Sequence, residues 1–480
     1  MPAGGSEVAP RPEITGFGRL LNSVFGSPDM LDRVGRREGW VAPPALLDRV
    51  PSAEKLTKTV VFLAFSLILF TAYISGSFDR AHYWYNISFV TRFLSLPLLV
   101  YSCLIMIHLP YRAILCFLYK PYPLRDDLPT ISFIIPAFNE GAMVEQAIES
   151  SAASNYPRER MEVVCIDDGS TDDTWKYIQR AAARHPGLVQ VLRHSRNRGK
   201  RQALATGFNH SKGEILITLD SDSVIAADAA RHLVAPFADP QVGATTARVK
   251  VYNKSENLLT RMLAVRYVMA FEFFRASTSV FKTVMCCSGV LSAYRRKVVT
   301  RFQQAWLDQE FIGQSCTYGD DRALTNFILR EGFHTIYQRT AEVKTLAPAT
   351  LPKLARMLTR WHKSFIRESI IFSTFMFTRY REKYRFPAAF DFILTSLLIP
   401  LQFYVTLYSV YHIFVDPILI LRFLALIVIM GITYMLFYIR FEKNTDFLYG
   451  VLYSFLHVFF LMWTVPYALL TFKNNSWLTR

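Results

Sequence analysis

Five stretches of the chain run almost without charge: Thr59–Ser75, Phe93–Ile107 continuing past Pro110 towards Leu118, Phe392–Phe414, Ile418–Ile439 and Phe447–Leu470. Each approaches the roughly 20 apolar residues that carry a helix across a bilayer. Five crossings are therefore expected, two before and three after a long mixed segment at 120–384. A buried helix of a soluble core explains one such run, but not five. The first is no cleaved signal peptide, because it follows a long polar, Pro- and Gly-containing tail and no small-residue cleavage site comes after it. That tail, Met1–Lys58, reads as loosely ordered, with a short amphipathic piece around Phe17–Phe25.

In the mixed segment the pattern changes. TISFIIPAFNE (130–140) is an apolar strand ending at Pro136, with a helix following over Ala142–Ala153. MEVVCIDDGSTDDT (161–174) repeats the plan: strand Val163–Ile166, then a helix capped by acidic and hydroxyl residues. VQVLRHSRNRGKRQAL (189–204) is strand, basic loop and helix, and GEILITLDSDSV (213–224) is a strand ending in acids. The alternation predicts an α/β domain with a mainly parallel sheet over 120–345, inserted between transmembrane helices. Two of those helices lie in 59–118. Amphipathic interface helices are expected over 346–384, about three membrane helices over 385–472, and a short tail at 473–480. Ligands of such sheets bind beyond the carboxyl ends of the strands. Asn139, Glu140, Asp167, Asp168, Arg198–Arg201, Asp220 and Asp222 are expected to converge there.

Composition agrees with the spans. Residues AVILMFWYC make up 51% of the chain, too apolar for an ordinary soluble protein. The net charge of +16 is unevenly placed. Lys55 and Lys58 precede the first span, Arg112 and Lys120 end the second, and RYREKYR (379–385) precedes the third. The link Gly76–Ser88 holds one Arg and one Asp. This bias puts the mixed segment in the cytoplasm of a multi-pass protein of the plasma or inner membrane. It also accounts for the basic charge without a nucleic-acid partner. Cys103, Cys116, Cys165, Cys286, Cys287 and Cys316 form no CxxC pair and no zinc spacing, and read as reduced thiols.

Two patterns carry chemistry. A nucleoside diphosphate brings several anionic oxygens. Asp220-Ser221-Asp222 can set two carboxylates around a hard cation, Mn²⁺ or Mg²⁺, which bridges to the diphosphate and stabilises it as it leaves. A solvated turn is the plainer reading of Asp-x-Asp alone; its place at the end of the fourth strand favours the metal. In 351–369, Lys353, Arg356, Arg360, Lys363 and Arg367 recur every three or four residues. Leu354, Leu358, Trp361 and Phe365 do so one position on. The spacing predicts an amphipathic helix, whose plainer role is to lie on anionic lipid.

The four strand ends resemble family-two glycosyltransferases of GT-A fold. MCCSGVLSAYRR (285–296), TYGDDRALTN (317–326), RMLTRWHKSFIRES (356–369), NLLTRMLAVRYVMAFEFFRA (257–276) and WLTR (477–480) resemble the processive membrane synthases, hyaluronan synthases above all. Rhizobial chitin-oligosaccharide synthases share much of this set. The resemblance covers about residues 50–480. It implies that Ala137, Phe138, Asn139 and Glu140 line a nucleotide pocket and that Asp168 contacts uracil and ribose. It implies that Lys200 and Arg201 reach the nucleotide or its phosphates, and that Asp220, Ser221 and Asp222 hold the donor and its cation. Asp321 matches the general base, with Asp320 its neighbour, and Arg360 the clamp on the departing diphosphate. Cys287, Ser288 and Gly289 fall where the acceptor sugar binds. Tyr294 and Arg295 fall in the acceptor and phosphate surroundings, and Trp361 under the acceptor sugar at a channel entrance. Plainer readings stand beside these: a solvated helix start for Lys200 and Arg201, core for Cys287, and helix capping for Asp320 and Asp321. The family pattern Gln-x-x-Arg-Trp has Met357 in place of Gln.

The resemblance implies a monomeric, processive transferase embedded among membrane lipids. It would polymerise UDP-GlcNAc and UDP-GlcA into hyaluronan by inverting transfer and extrude the growing polysaccharide between its own helices. Ser102, His108, Gln402, Thr406 and His457 are candidate lumen groups or helix–helix contacts. The rival readings are a chitin-type oligomer from UDP-GlcNAc alone or another capsular polysaccharide, a non-processive transfer to a lipid-linked acceptor, and a transporter with a nucleotide-sensing domain. Five crossings from an inside amino terminus put the carboxyl terminus outside. A re-entrant segment near Ile370–Phe377, or a broken Phe392–Phe414, would return WLTR to the cytoplasm.

Overall fold

The structure is a computed structural model that describes residues 51–76, 78, 89–378 and 383–472. The piece at Phe17–Phe25, nearly all of the link Gly76–Ser88, most of RYREKYR and the closing WLTR lie outside them.

Continuous apolar runs become strands buried on both faces. The strands are β1 (Ile131–Ala137), β2 (Met161–Asp167), β3 (Val189–Arg193), β4 (Ile215–Leu219), β5 (Ser223–Ile225), β6 (Val242–Val251), β7 (Leu291–Arg295), the hairpin β8 (Glu310–Phe311) and β9 (Gln314–Ser315), and β10 (His334–Thr345). Eight form one sheet in the order β3-β2-β1-β4-β7-β6-β10-β5. Side chains alternate between two cores. Phe133, Ile135, Val163, Cys165 and Ile217 enter one; Ile134, Val164, Ile166 and Leu216 enter the other with Phe208, Trp306 and Ile328. Strands β3, β2, β1 and β4 are parallel. The register sets Ala137 against Asp167 and Asp167 against Arg193, so their carboxyl ends share one edge. The sheet is mixed further on: β7 is antiparallel to both β4 and β6, and β5 is antiparallel to β10.

Helices Pro51–Ile74, Phe89–Leu118, Arg385–Val415 and Leu419–Glu442 flank this domain. Among the described residues these four are long and apolar enough to cross a membrane, and the protein is an integral membrane protein. The first begins at Pro51, so its first turns take up the end of the stretch read as a loose tail. Arg385–Val415 is unbroken despite Pro400. The fifth expected crossing is a bent pair, Phe447–Leu461 and Thr464–Leu470, meeting at 40°. It contacts the membrane helices, with Phe455 stacked on Phe65 at 5.7 Å and Phe459 against Phe423 at 6.1 Å, and the α/β domain as well. Asp446 pairs with Lys254 at 2.5 Å, the Arg266 guanidinium lies 5.5 Å from the Tyr453 ring, and Thr464 Oγ1 is 3.2 Å from His362 Nδ1. The Phe472 ring is 5.1 Å from Phe311 in the β8–β9 hairpin. Among the described residues four helices thus qualify as crossings by themselves, and five if the bent pair is one span, the number expected from sequence.

Charged pairs lock the domain to the membrane helices. Glu272, 1% exposed, receives Arg339 and Arg248 Nε at 2.7 Å. Arg248 also reaches Glu442 at the end of Leu419–Glu442, at 2.5 Å. Arg112 Nη2 meets Asp391 at 2.8 Å, and Arg112 Nη1 donates to Ser277 Oγ at 2.8 Å. Truncating one partner of a buried pair of this kind costs about 3–5 kcal/mol.

Candidate active site

The aligned strand ends build the first wall. Asn139 adopts φ 54° just past β1. Its Oδ1 accepts from Thr171 N at 2.9 Å, and its own N–H donates to Ser170 Oγ at 3.0 Å. The Glu140 N–H donates to Thr174 Oγ1 at 2.8 Å. Asp172, not a residue at the cap position, receives the Thr174 N–H at 3.0 Å. The Ala137 carbonyl accepts from Asp168 N at 2.8 Å. The Asp168 carboxylate is buried and fully engaged. It takes His194 Nδ1 at 2.7 Å and the backbone N–H groups of Arg198 and Gly199 at 3.0 and 2.8 Å. Asp168 thus sets the loop that delivers Lys200.

Lys200 opens the helix Lys200–His210 and its ammonium pairs with Asp220 Oδ1. Burial works against that charge; Asp220, with Asp320 and Asp321 beyond it, outweighs burial and raises the pKa. Asp222 is 7% exposed and accepts from Ser223 Oγ at 3.1 Å and Thr345 Oγ1 at 3.4 Å. The Thr345 contact follows from the pairing of Ser223 with Thr345. Ser221 is buried between the two acids.

The third wall comes from 286–289 and 318–321. Gly289 N donates to Asp321 Oδ2 at 3.2 Å. A Cβ on Gly289 would lie 3.3 Å from Lys200 Nζ, 3.6 Å from Asp220 Oδ1 and 3.8 Å from Asp321 Cβ. Lys200, Asp220 and Asp321 therefore surround this bare backbone. Cys286 Sγ donates to Asp321 Oδ2 at 3.5 Å; burial, with the Asp321 charge, pushes its thiol up to about 11, so it stays protonated. Asp320 faces inward and pairs with Arg201. Helix Asp320–Arg330 starts at Gly319 with φ +73°, where a Cβ would come 2.3 Å from Ser364 Cβ. Gly319→Ala is expected to lower the thermal midpoint of the detergent-solubilised protein by several degrees, from about 1–2 kcal/mol of left-handed strain plus the clash. Adding Ser364→Gly should recover only the clash; equal midpoints for Gly319→Ala and wild type would refute this account.

Helix Leu351–Phe375 lies across Gly319. Lys363 and Arg367 are 4% and 1% exposed, so this part of the basic stripe faces protein and not lipid. Arg360 and Trp361 are half-buried. The Trp361 ring lies 6.4 Å from Tyr267 and 5.6 Å from the Arg266 guanidinium. Burial, helped by Asp222 and Asp220 and opposed by Arg266, pushes the Tyr267 hydroxyl up to about 12. Tyr267 thus lies beside Trp361 and within the field of the acidic edge.

Three expected placements need correction. Arg295 lies at the far end of the sheet, paired with Ile215 where β4 begins. Its guanidinium is spent on the carbonyls of Val242, Phe237 and Asp239. Tyr294, opposite Leu216, is core, its hydroxyl on the Cys287 carbonyl at 3.4 Å. Arg201 turns away from Lys200 into the interior. The Cys287 side chain is fully buried, its N–H on Thr325 Oγ1 at 2.9 Å, while Ser288 N binds Thr246 Oγ1 at 3.1 Å; of this trio Gly289 reaches the acids. Thr345, Tyr267 and Cys286 were not singled out from sequence. The run holding Tyr267 was visible as a motif, but nothing in it pointed to Asp222.

Residues 132–302 match the family Glycosyl transferase family 2. A hyaluronan synthase of Streptococcus pyogenes is 32% identical over 389 residues, covering 79% of this chain and 90% of that protein. An N-acetylglucosaminyltransferase of Rhizobium meliloti is 30% identical over 74% of this chain and 82% of its own. Among solved structures, the mannosyltransferase PcManGT from Pyrobaculum calidifontis, in complex with GDP-Man and Mn²⁺, aligns with TM-score 0.51 and 19% identity over 80% of this chain and all of its own; that likeness carries the GT-A fold. With an acid-lined edge on a GT-A sheet, membrane helices on both sides of it and nine-tenths of a hyaluronan synthase matched, the chain belongs to glycosyltransferase family 2, alongside synthases that build polysaccharides.

Proposed function

We propose that the protein polymerises UDP-GlcNAc and UDP-GlcA into hyaluronan by inverting transfer, as a monomer. The growing chain leaves between its own membrane helices, and the α/β domain faces the cytoplasm. The observation that carries this reading is the convergence of Asp321, Asp220 and Lys200 around Gly289. Asp321 Oδ2 accepts the acceptor hydroxyl's proton. Lys200 and Arg360 hold the departing diphosphate. Trp361 offers a flat apolar face to the acceptor sugar, and Ala137, Asn139, Glu140 and the Asp168 loop form the nucleotide wall.

The donor set fits a hard divalent cation. Among the described residues no group of three or more ligating side chains occurs. Asp220 and Asp222 would be the two carboxylates that hold it. Asp220 already meets a cation there, the Lys200 ammonium. Bound Mn²⁺ or Mg²⁺ supplies positive charge to the leaving diphosphate.

The N-acetylglucosaminyltransferase likeness favours one second reading, a chitin-type product from UDP-GlcNAc alone. Purified protein with Mn²⁺ or Mg²⁺ should make long polymer only when both donors are present, degradable by a hyaluronan lyase. Product from UDP-GlcNAc alone would replace hyaluronan with the chitin-type reading.

A further inference from the structure

Asp320 and Asp321 are adjacent, yet Asp321 meets Gly289 while Asp320 enters a buried chain of polar contacts. Asp320 Oδ1 accepts from Arg201 Nε at 2.9 Å. Arg201 Nη1 donates to Gln309 Oε1 at 3.2 Å and to the Trp306 carbonyl at 2.6 Å. Gln309 Nε2 donates to Glu368 Oε1 at 3.2 Å. Glu368 Oε1 also takes Arg367 Nε at 2.7 Å, and its Oε2 takes Asn326 Nδ2 at 2.8 Å. Arg367 Nη2 closes the circuit on the Tyr318 carbonyl at 2.7 Å, one residue before Gly319. All six side chains are buried, Glu368 to 4% exposure. The circuit therefore joins three elements: the helix start carrying Lys200, the Gly-Asp-Asp turn carrying Asp321, and the helix carrying Arg360 and Trp361.

Packing alone does not call for such a network. Apolar residues of the same volume serve stability as well as buried charges do. What hydrogen-bonded charges add is a fixed mutual geometry, and reactions between positioned groups lose about 100-fold for misplacements near 1 Å.

We propose that Glu368 is a positioning residue for sugar transfer: the shared buried carboxylate that fixes the Asp321 turn, the Lys200 helix and the Arg360–Trp361 helix relative to one another. The proposal rests on the functional reading above. Loosening this geometry shifts the Asp321 turn and the Arg360–Trp361 helix away from the acceptor position, while the nucleotide wall at Asn139 and Asp168, held by Ser170 and His194 outside the circuit, stays in place. Water then attacks the anomeric carbon in the acceptor's place. Its oxygen forms the new bond, the bond to the diphosphate breaks, UDP leaves with the electron pair, and Asp321 takes the proton.

The test uses the full chain in detergent and measures UDP released per sugar incorporated, with UDP binding measured alongside. Glu368→Gln and the milder Gln309→Met should each raise that ratio about fivefold or more, with UDP affinity within about twofold of wild type. Gln309→Glu combined with Glu368→Gln restores the link with donor and acceptor exchanged, and should bring the ratio back towards wild type. A merely structural role lowers UDP release and incorporation together. An unchanged ratio in Gln309→Met, which decides the matter if Glu368→Gln does not fold, overturns the proposal; so does a double variant no better than Glu368→Gln. Wild-type protein that turns over no UDP-sugar overturns the functional reading as well, whereas active wild type with unmoved ratios overturns only the role of Glu368.

Discussion

Asp321→Asn is expected to lower sugar incorporation about 10²–10⁴-fold, the range for losing a general base, with UDP affinity held within about twofold. Asparagine keeps the size of the side chain and can still accept from the Gly289 N–H, which lies 3.2 Å from Asp321 Oδ2. The turn therefore stays in place while the proton acceptor is lost. Incorporation of labelled sugar, read beside UDP binding, separates the two effects. Near-normal incorporation would remove Asp321 from the chemistry and leave it the helix-capping role that its place at the start of Asp320–Arg330 also suits. Asp320→Asn provides the contrast: its partner is the buried Arg201, so its loss should show first in stability.

Asp222→Asn is expected to cost about 100-fold or more in transfer and to weaken Mn²⁺ binding at least about 10-fold, since even outer contacts of metal sites carry 10–100-fold effects. Asp222 accepts from Ser223 Oγ and Thr345 Oγ1, contacts that the asparagine Oδ1 can keep. Mn²⁺ binding followed by electron paramagnetic resonance, without donor, gives a readout independent of turnover. Unaltered polymer output from both Asp222→Asn and Asp321→Asn would point to a transporter with a nucleotide-sensing domain. Unaltered Mn²⁺ binding with lost transfer would move the cation elsewhere.

The parallel half of the sheet was legible because both of its faces are buried, which writes each strand as an unbroken apolar run closed by turn residues. The acids were legible for the same reason, since a carboxylate at the end of a buried strand must face an edge. What escaped depended on direction. Lys200 and Arg201 are neighbours, but successive side chains on a helix point about 100° apart; one meets Asp220, the other Asp320. Tyr294 and Arg295 follow Gly289 closely, yet β7 is antiparallel to β4 and carries them away from the edge. Hydropathy likewise gave Phe447–Leu470 as one run and did not show its 40° bend, because it counts apolar residues and not the path of the backbone. Thr345 comes to Asp222, and Glu368 to the circuit behind Asp320, only through pairings between distant parts of the chain.

The bent pair Phe447–Leu461 and Thr464–Leu470 has a mechanical consequence. Asp446 at its start holds Lys254 of the α/β domain and Lys58 of the first membrane helix, Phe455 stacks on Phe65 of that helix, and Phe459 meets Phe423 of the helix Leu419–Glu442. One short segment thus clamps the soluble domain to the membrane helices, so a tilt of either is passed to the other.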